Sequence, residues 1–201
     1  MIYVRSTPPA LLPVTLALFK QQLRLEADES FEDLLLQSYL EAAVAHLDGR
    51  DGILGRCLVD QVWTAYAEGP VRLPCGRAGF RLELGPVRSD LTVSVRYWAA
   101  GEYQDVDPGH YRVEQERLEE ASVVLAPGAS WPAAEPVRNA WRIDFVAGFG
   151  AAAAAVPAPL QAAILLLATD LANDRSGKTL ASLVTNPTVD RLIAPYRKVA
   201  V

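Results

Sequence analysis

Hydrophobic and polar positions change their period twice along this chain. Residues 1–14 hold three prolines and no regular spacing, and predict an extended N-terminal arm. From Thr15 onward Leu16, Phe19 and Leu23 recur at intervals of three and four, with Lys20, Gln22 and Arg24 between them, which predicts a short amphipathic helix. A second helix follows. Ser30 is placed to cap it, with Asp33 three residues on as in a capping box, and Phe31, Leu34, Leu35, Tyr39, Ala42 and Ala43 are its expected buried stripe. It should end near Asp48-Gly49, where glycine can adopt the left-handed conformation just past a helix.

Between residues 57 and 147 the period shortens. Leu58-Val59, Val62-Trp63, Leu82 to Leu84, Leu91 to Trp98, Tyr111 to Val113, Val123 to Leu125 and Trp141 to Val146 are short runs rich in β-branched and aromatic residues. Leu91, Val93, Val95 and Tyr97 fall on one face of such a strand, and Thr92, Ser94 and Arg96 on the other. Gly69-Pro70, Gly85-Pro86, Asp107-Pro108-Gly109 and Pro127-Gly128 separate the runs as turns. Helical spacing returns after Pro159, with Leu160, Ala163, Ile164, Leu167, Ala168 and Leu171 as a wide apolar face that stops by Ser176-Gly177.

These switches predict an α+β protein. Two N-terminal helices and a long C-terminal helix form a small bundle, and an antiparallel β subdomain is inserted between them without separating the second helix from the third. The expected parts are an arm (1–14), the first bundle helices (15–56), the β insertion (57–147), a linker with the third helix (148–175) and a C-terminal tail (176–201). The Ala151 to Ala155 run and the Arg117 to Pro136 stretch have no assigned role.

Charge adds a polarity to this layout. The 201-residue chain is at −5, with 51% hydrophobic and 21% charged residues, so it can bury a core. An acidic balance of this kind argues against coating nucleic acid by phosphate neutralisation alone. Residues 175–201 carry Arg175, Lys178, Arg191, Arg197 and Lys198 against Asp190 alone, a net of +4, which leaves −9 on residues 1–174. Between Glu26 and Asp51 eight acids face one base, Arg50. A basic tail on an acidic body points to a partner for the tail. The opening MIYVRSTPPALLPV has no basic segment followed by an apolar one, so no export signal is expected. The charge-free stretch Phe145 to Thr169 is broken by Gly148, Gly150, Pro157 and Pro159. Its continuous helical part, Leu160 to Ala168, rises about 14 Å, half a bilayer core, so no membrane span is expected.

Candidate chemistry is sparse. Gly148, Gly150 and Ala153 have dinucleotide-fingerprint spacing, but Asp170 lies in a helical pattern rather than at the end of a second strand. Ser176-Gly177-Lys178-Thr179 resembles the end of a P-loop, yet Ala172 stands where the first glycine belongs and a helix precedes it. His46 and His110 have no His or Cys at ligand spacing, so no metal is expected. Cys57 and Cys75 read as small core or edge residues, too few for a disulfide framework. No G-x-S-x-G occurs, and neither a catalytic residue nor a cofactor is expected.

Several local patterns are colinear with one family. KQQLRLEADESFEDLLLQSYLEAAVAHLDGRDGILGR, Lys20 to Arg56, resembles the opening of the head-to-tail connector (adaptor) proteins of tailed phages, with a K-x-x-L-R helix, an acidic turn, an E-D-x-L-L helix and a Gly-Arg loop. LELGPVRSDLTVSVRYWAAGEYQDVDPGHYRV, Leu82 to Val113, resembles that family's β insertion. WRIDFVAGFG with AILLLATDLANDR resembles its strand, glycine exit and third helix, and LIAPYR, Leu192 to Arg197, its closing L-x-x-P-Y-R. The resemblance runs from about Thr15 to Arg197, and alphaproteobacterial gene transfer agents carry related adaptors.

The resemblance implies a non-enzymatic structural protein of the neck of a virion or phage-like particle, assembled in the bacterial cytoplasm. It would form a twelvefold ring of its own copies beneath the portal protein and extend the DNA channel without sequence-specific binding. On its other side it would meet a stopper or tail-side neck protein; no membrane is involved. Docking on the portal would fall to the C-terminal segment through Arg191, Leu192, Ile193, Pro195, Tyr196, Arg197 and Lys198, unless Leu192 to Tyr196 folds back on the third helix of its own subunit. A small ligand-binding module or enzyme built on the β subdomain stands as the alternative.

Overall fold

The computed structural model describes residues 1–74, 76–88, 90–117, 120–174 and 186–198. It divides into two compact units, Met1–Ala10 with Asp60–Gly148 and Leu11–Val59 with Phe149–Val201. The class is α+β: a helical bundle with an antiparallel β subdomain.

The helical unit starts where the apolar spacing does. Thr15 caps α1 (Leu16–Leu23), its Oγ1 accepting from the Leu18 amide at 3.3 Å, and Arg24 ends the helix in the left-handed conformation at φ 60°. α2 (Asp33–Leu47), α3 (Ala158–Asn173) and α4 (Pro187–Ile193) are the unit's other α-helices among the described residues. α3 packs on α1, α2 and α4, so the second and third helices are in contact although more than a hundred residues separate them in sequence. Phe19, Leu36, Leu40, Leu47, Leu54, Leu160, Ile164 and Ile193 are among the residues that close the shared core.

The phase of α2 differs from the sequence expectation. Its buried residues are Leu36, Leu40, Ala43, Val44 and Leu47, whereas Phe31, Leu34, Leu35 and Ala42 are exposed. The helix is apolar around most of its circumference, so two stripes compete and periodicity alone cannot choose between them. The first turn decides. The helix begins at Asp33 after Glu32, with no side-chain cap, and Ser30 and Phe31 lie outside it. Lys20, only 5% exposed, ties this turn to α1 instead: its Nζ donates to the Glu29 carbonyl at 2.6 Å and pairs with Asp33 at 2.5 Å. That clamp fixes how α2 is rotated about its own axis. At the other end Asp48 leaves the helix and Gly49 takes φ 80°, as expected for the position after the cap.

The β unit holds two antiparallel sheets. The first has the order β1 (Ile2–Thr7), β2 (Gln61–Ala67), β9 (Trp141–Ala147), β5 (Ser94–Ala99) and β6 (Glu102–Asp105). The second runs β3 (Val71–Arg72), β4 (Ala78–Leu82), β8 (Glu120–Leu125) and β7 (Tyr111–Arg117). Residues 2–7 are therefore not a free arm: they pair with β2 from Ile2↔Tyr66 to Arg5↔Trp63. Trp63, Ile143, Phe145 and Val95 are buried on one face of the first sheet. The other face carries a polar ladder in which Thr64 donates to Asp144 at 2.5 Å and Arg142 donates to the same carboxylate at 3.1 Å. Phe80 of β4 packs on Trp141 of β9 with ring centroids 5.1 Å apart, and Trp131 inserts beside both at 5.2 and 5.5 Å. The stretch from Arg117 to Pro136 thus has a use: its described part supplies β8 and then Trp131, whose indole N–H donates to the Ala78 carbonyl at 3.2 Å. In the helical unit, Ala153–Ala155 form a 3-10 turn whose Ala153 carbonyl accepts from the Gln161 side chain at 3.1 Å.

Candidate functional site

α4 forms because Asn186 caps it, its Oδ1 accepting from the amides of Thr188 and Val189 at 3.1 and 3.5 Å, while Pro187 occupies the first turn. The same Asn186 donates through Nδ2 to Asp170 of α3 at 3.2 Å, which ties the cap to the bundle. Val189 and Ile193, one turn apart, then face inward and are 5% and 0% exposed. A 3-10 turn follows at Ala194–Tyr196, and the Tyr196 ring meets Phe149 edge to face at 6.4 Å. The Lys198 amide donates to the Leu54 carbonyl at 3.0 Å.

This arrangement places the described part of the C-terminal segment. Ile193 belongs to the core of its own subunit, and Leu192 and Tyr196 are half-buried against that core, so Leu192 to Tyr196 is folded back. Arg191, Pro195 and Arg197 are exposed, with Lys198 half-buried beside them. Among the described residues, Arg191, Pro195 and Arg197 are thus the docking candidates whose side chains are exposed.

A second surface was assigned by the sequence to the core. Phe31 is 94% exposed and Leu34 91%, with Leu35 at 37%, at the N-terminal end of α2. Glu26, Asp28 and Glu29, all exposed, precede them in the turn from α1. The sequence signal for this is the competing stripe 36, 40, 43, 44 and 47, whose spacing is at least as regular as that of Phe31, Leu34, Leu35, Tyr39, Ala42 and Ala43.

Several titratable groups of the β unit make ion pairs and hydrogen bonds within it. In the β unit Arg88 bridges Asp60 at 2.5 Å and Asp90 at 2.6 Å, and its hydrogen bond holds the Asp90 carboxyl below the usual carboxylate range. Arg77 does the same for Glu114. Burial pushes the Tyr111 phenol up, and its hydroxyl donates to the Val93 carbonyl at 2.7 Å. His46 and His110 are exposed at the ends of α2 and of a 3-10 turn, and Cys57 is buried. Cys75 and Ser176 to Thr179 lie outside the described residues. Among the described residues no His, Cys, Asp and Glu cluster is suited to a metal ion, and no helix is long and apolar enough to cross a membrane.

No family model matches the sequence, and no curated protein matches it. Solved structures do match, over all of this chain and 97% of each matched chain. They include the neck of an empty gene transfer agent particle computed with C6 symmetry (28% identity, TM-score 0.78), the virion of the native particle (30%, 0.75), and the native neck computed with C12 symmetry (28%, 0.74). The chain belongs with these gene transfer agent neck proteins. It is a structural component of such a particle, and the exposed surfaces of the neck protein are therefore the places to look for its function. Two are described above: the basic C-terminal turn and the acid-flanked apolar end of α2.

Proposed function

We propose that this neck protein is the head–tail adaptor of a phage-like particle, a ring of copies beneath the portal protein that extends the DNA channel and joins the head to a stopper or tail-side neck protein. The observation that carries the reading is full-length similarity to chains of particle necks computed with sixfold and twelvefold symmetry. An acidic body suits a channel that DNA must cross without being held, because like charge weakens non-specific phosphate binding. Phe80, Trp131 and Trp141 pack together inside the β unit, so a ligand of the alternative reading would have to bind at the unit's surface. Deleting the gene in a particle-producing host tests the proposal. DNA-filled heads without tails are expected, and electron microscopy of wild-type particles should place the chain in a ring under the portal. Normal tailed particles from the deletion strain would refute it.

A further inference from the structure

We infer that the exposed end of α2 is a subunit contact, which seats on the C-terminal turn of a second copy of this chain, head to tail. The inference rests on the ring reading above and assigns its interface. A closed ring of identical chains about one axis needs two different patches on each copy, each fitting the other on the next copy. The helical unit carries such a pair. One patch is Phe31, Leu34 and Leu35 beside Glu26, Asp28 and Glu29. The other is exposed Pro195 with half-buried Leu192 and Tyr196, beside Arg191 and Arg197. Each combines apolar surface with charge, and the charges are opposite.

One copy cannot satisfy both patches by itself. The first lies at the N-terminal end of α2, whereas the bond from the Lys198 amide to Leu54 holds the second near the loop that follows the C-terminal end. Fifteen helical residues put these ends about 22 Å apart. The acidic flank also decides among other occupants: DNA phosphates and anionic lipid headgroups are repelled by it, while a guanidinium-bearing surface is drawn to it. A phenylalanine just before a helix and a leucine in its first turn, each more than nine-tenths exposed while the helix is apolar on its inner face as well, have the character of an interface anchor.

The test uses particles made with the full chain. Leu34→Cys and Arg197→Cys in one chain, with Cys75→Ser, should give a ladder of covalent oligomers when purified particles are treated with a short bis-maleimide. Co-expressed single variants should give dimers and no ladder, and either variant alone should give none. Homodimers of the Leu34→Cys chain, a link from Arg197→Cys to the portal, or no product from chains incorporated in particles would overturn the inference. Phe31→Ser with Leu34→Ser provides a second readout on purified protein: concentration-dependent self-association should weaken at least tenfold in sedimentation while the thermal midpoint is unchanged. Equal sedimentation of variant and wild type would overturn the contact, whereas absence of the wild-type chain from particles would refute the adaptor reading instead.

Discussion

Ile193 separates a docked C-terminal helix from a free arm most directly. Its side chain is fully buried in a cluster with residues of α2 and α3, and it arrives there only because Asn186, Pro187 and Val189 set α4 against α3. Ile193→Ala removes the buried γ-methyl, γ-methylene and δ-methyl groups. Truncating a fully buried isoleucine to alanine costs about 2–5 kcal/mol, transfer and residual cavity together, and a site flanked by α3 on one side should collapse only partly, giving about 3 kcal/mol. For a chain of this size a loss of ~3 kcal/mol lowers the melting midpoint by roughly 6–12 °C. Far-UV circular dichroism during heating, with urea titration as a second measure, reads this out, and Arg197→Ala is the internal control. An exposed arginine should shift stability by no more than about 0.5 kcal/mol. An Ile193→Ala midpoint equal to that of the wild type would mean that α4 is not docked, and the account of the C-terminal turn would fail with it.

Lys20→Met should cost about 2 kcal/mol, because a buried ammonium bonded to a carbonyl and a carboxylate is lost and Asp33 keeps its charge; a double-mutant cycle with Asp33→Asn should show strong coupling. Trp131→Ala should cost about 2 kcal/mol, since a half-buried indole in two edge-to-face pairs is removed, with a loss of near-UV dichroism and no change in helix content. The Arg77 guanidinium holds Glu114 below the usual carboxylate range, so its contribution is complete above the unfolded carboxyl pKa and disappears as pH falls through the lower folded value. Glu114→Gln should therefore lower stability at neutral pH and leave it unchanged at strongly acid pH, and an equal loss at both would contradict the ion pair.

What the sequence made legible follows from how many physical signals coincide at a position. Thr15 and Gly49 each combine a favoured residue type with a change of period, and both helix ends stand where expected. For α2 the signals disagreed. Phe31, Leu34 and Leu35 are as apolar as Leu36, Leu40 and Leu47, and the contact that chooses between the two stripes is made by Lys20, on another helix. Residues 2–7 looked like an arm because a strand lying at a sheet edge need not alternate, and its partner lies some sixty residues away. Trp131 was illegible for a similar reason, since it sits in no periodic element and its neighbours come from β4 and β9. Of the C-terminal candidates, Arg191, Pro195 and Arg197 are on the surface as their residue types suggest. Ile193 is inside, as its type would also suggest once the chain is allowed to turn back.

The pairing of β1 with β2 has a consequence for how the chain is built and for how it can be cut. The β unit is assembled from two stretches of sequence, so its first strand leaves the ribosome early and must wait for Gln61 to Ala67 before it has a ladder to join. Such non-local pairing slows folding and leaves Ile2 to Thr7 as an unsatisfied strand in the interval. Excising Asp60 to Gly148 as a contiguous fragment would expose the β2 edge along Val62, Thr64 and Tyr66, an invitation to edge-to-edge aggregation. A soluble β unit should instead be obtained as a permuted chain, in which residues 1–10 are rejoined after Gly148 through a flexible linker.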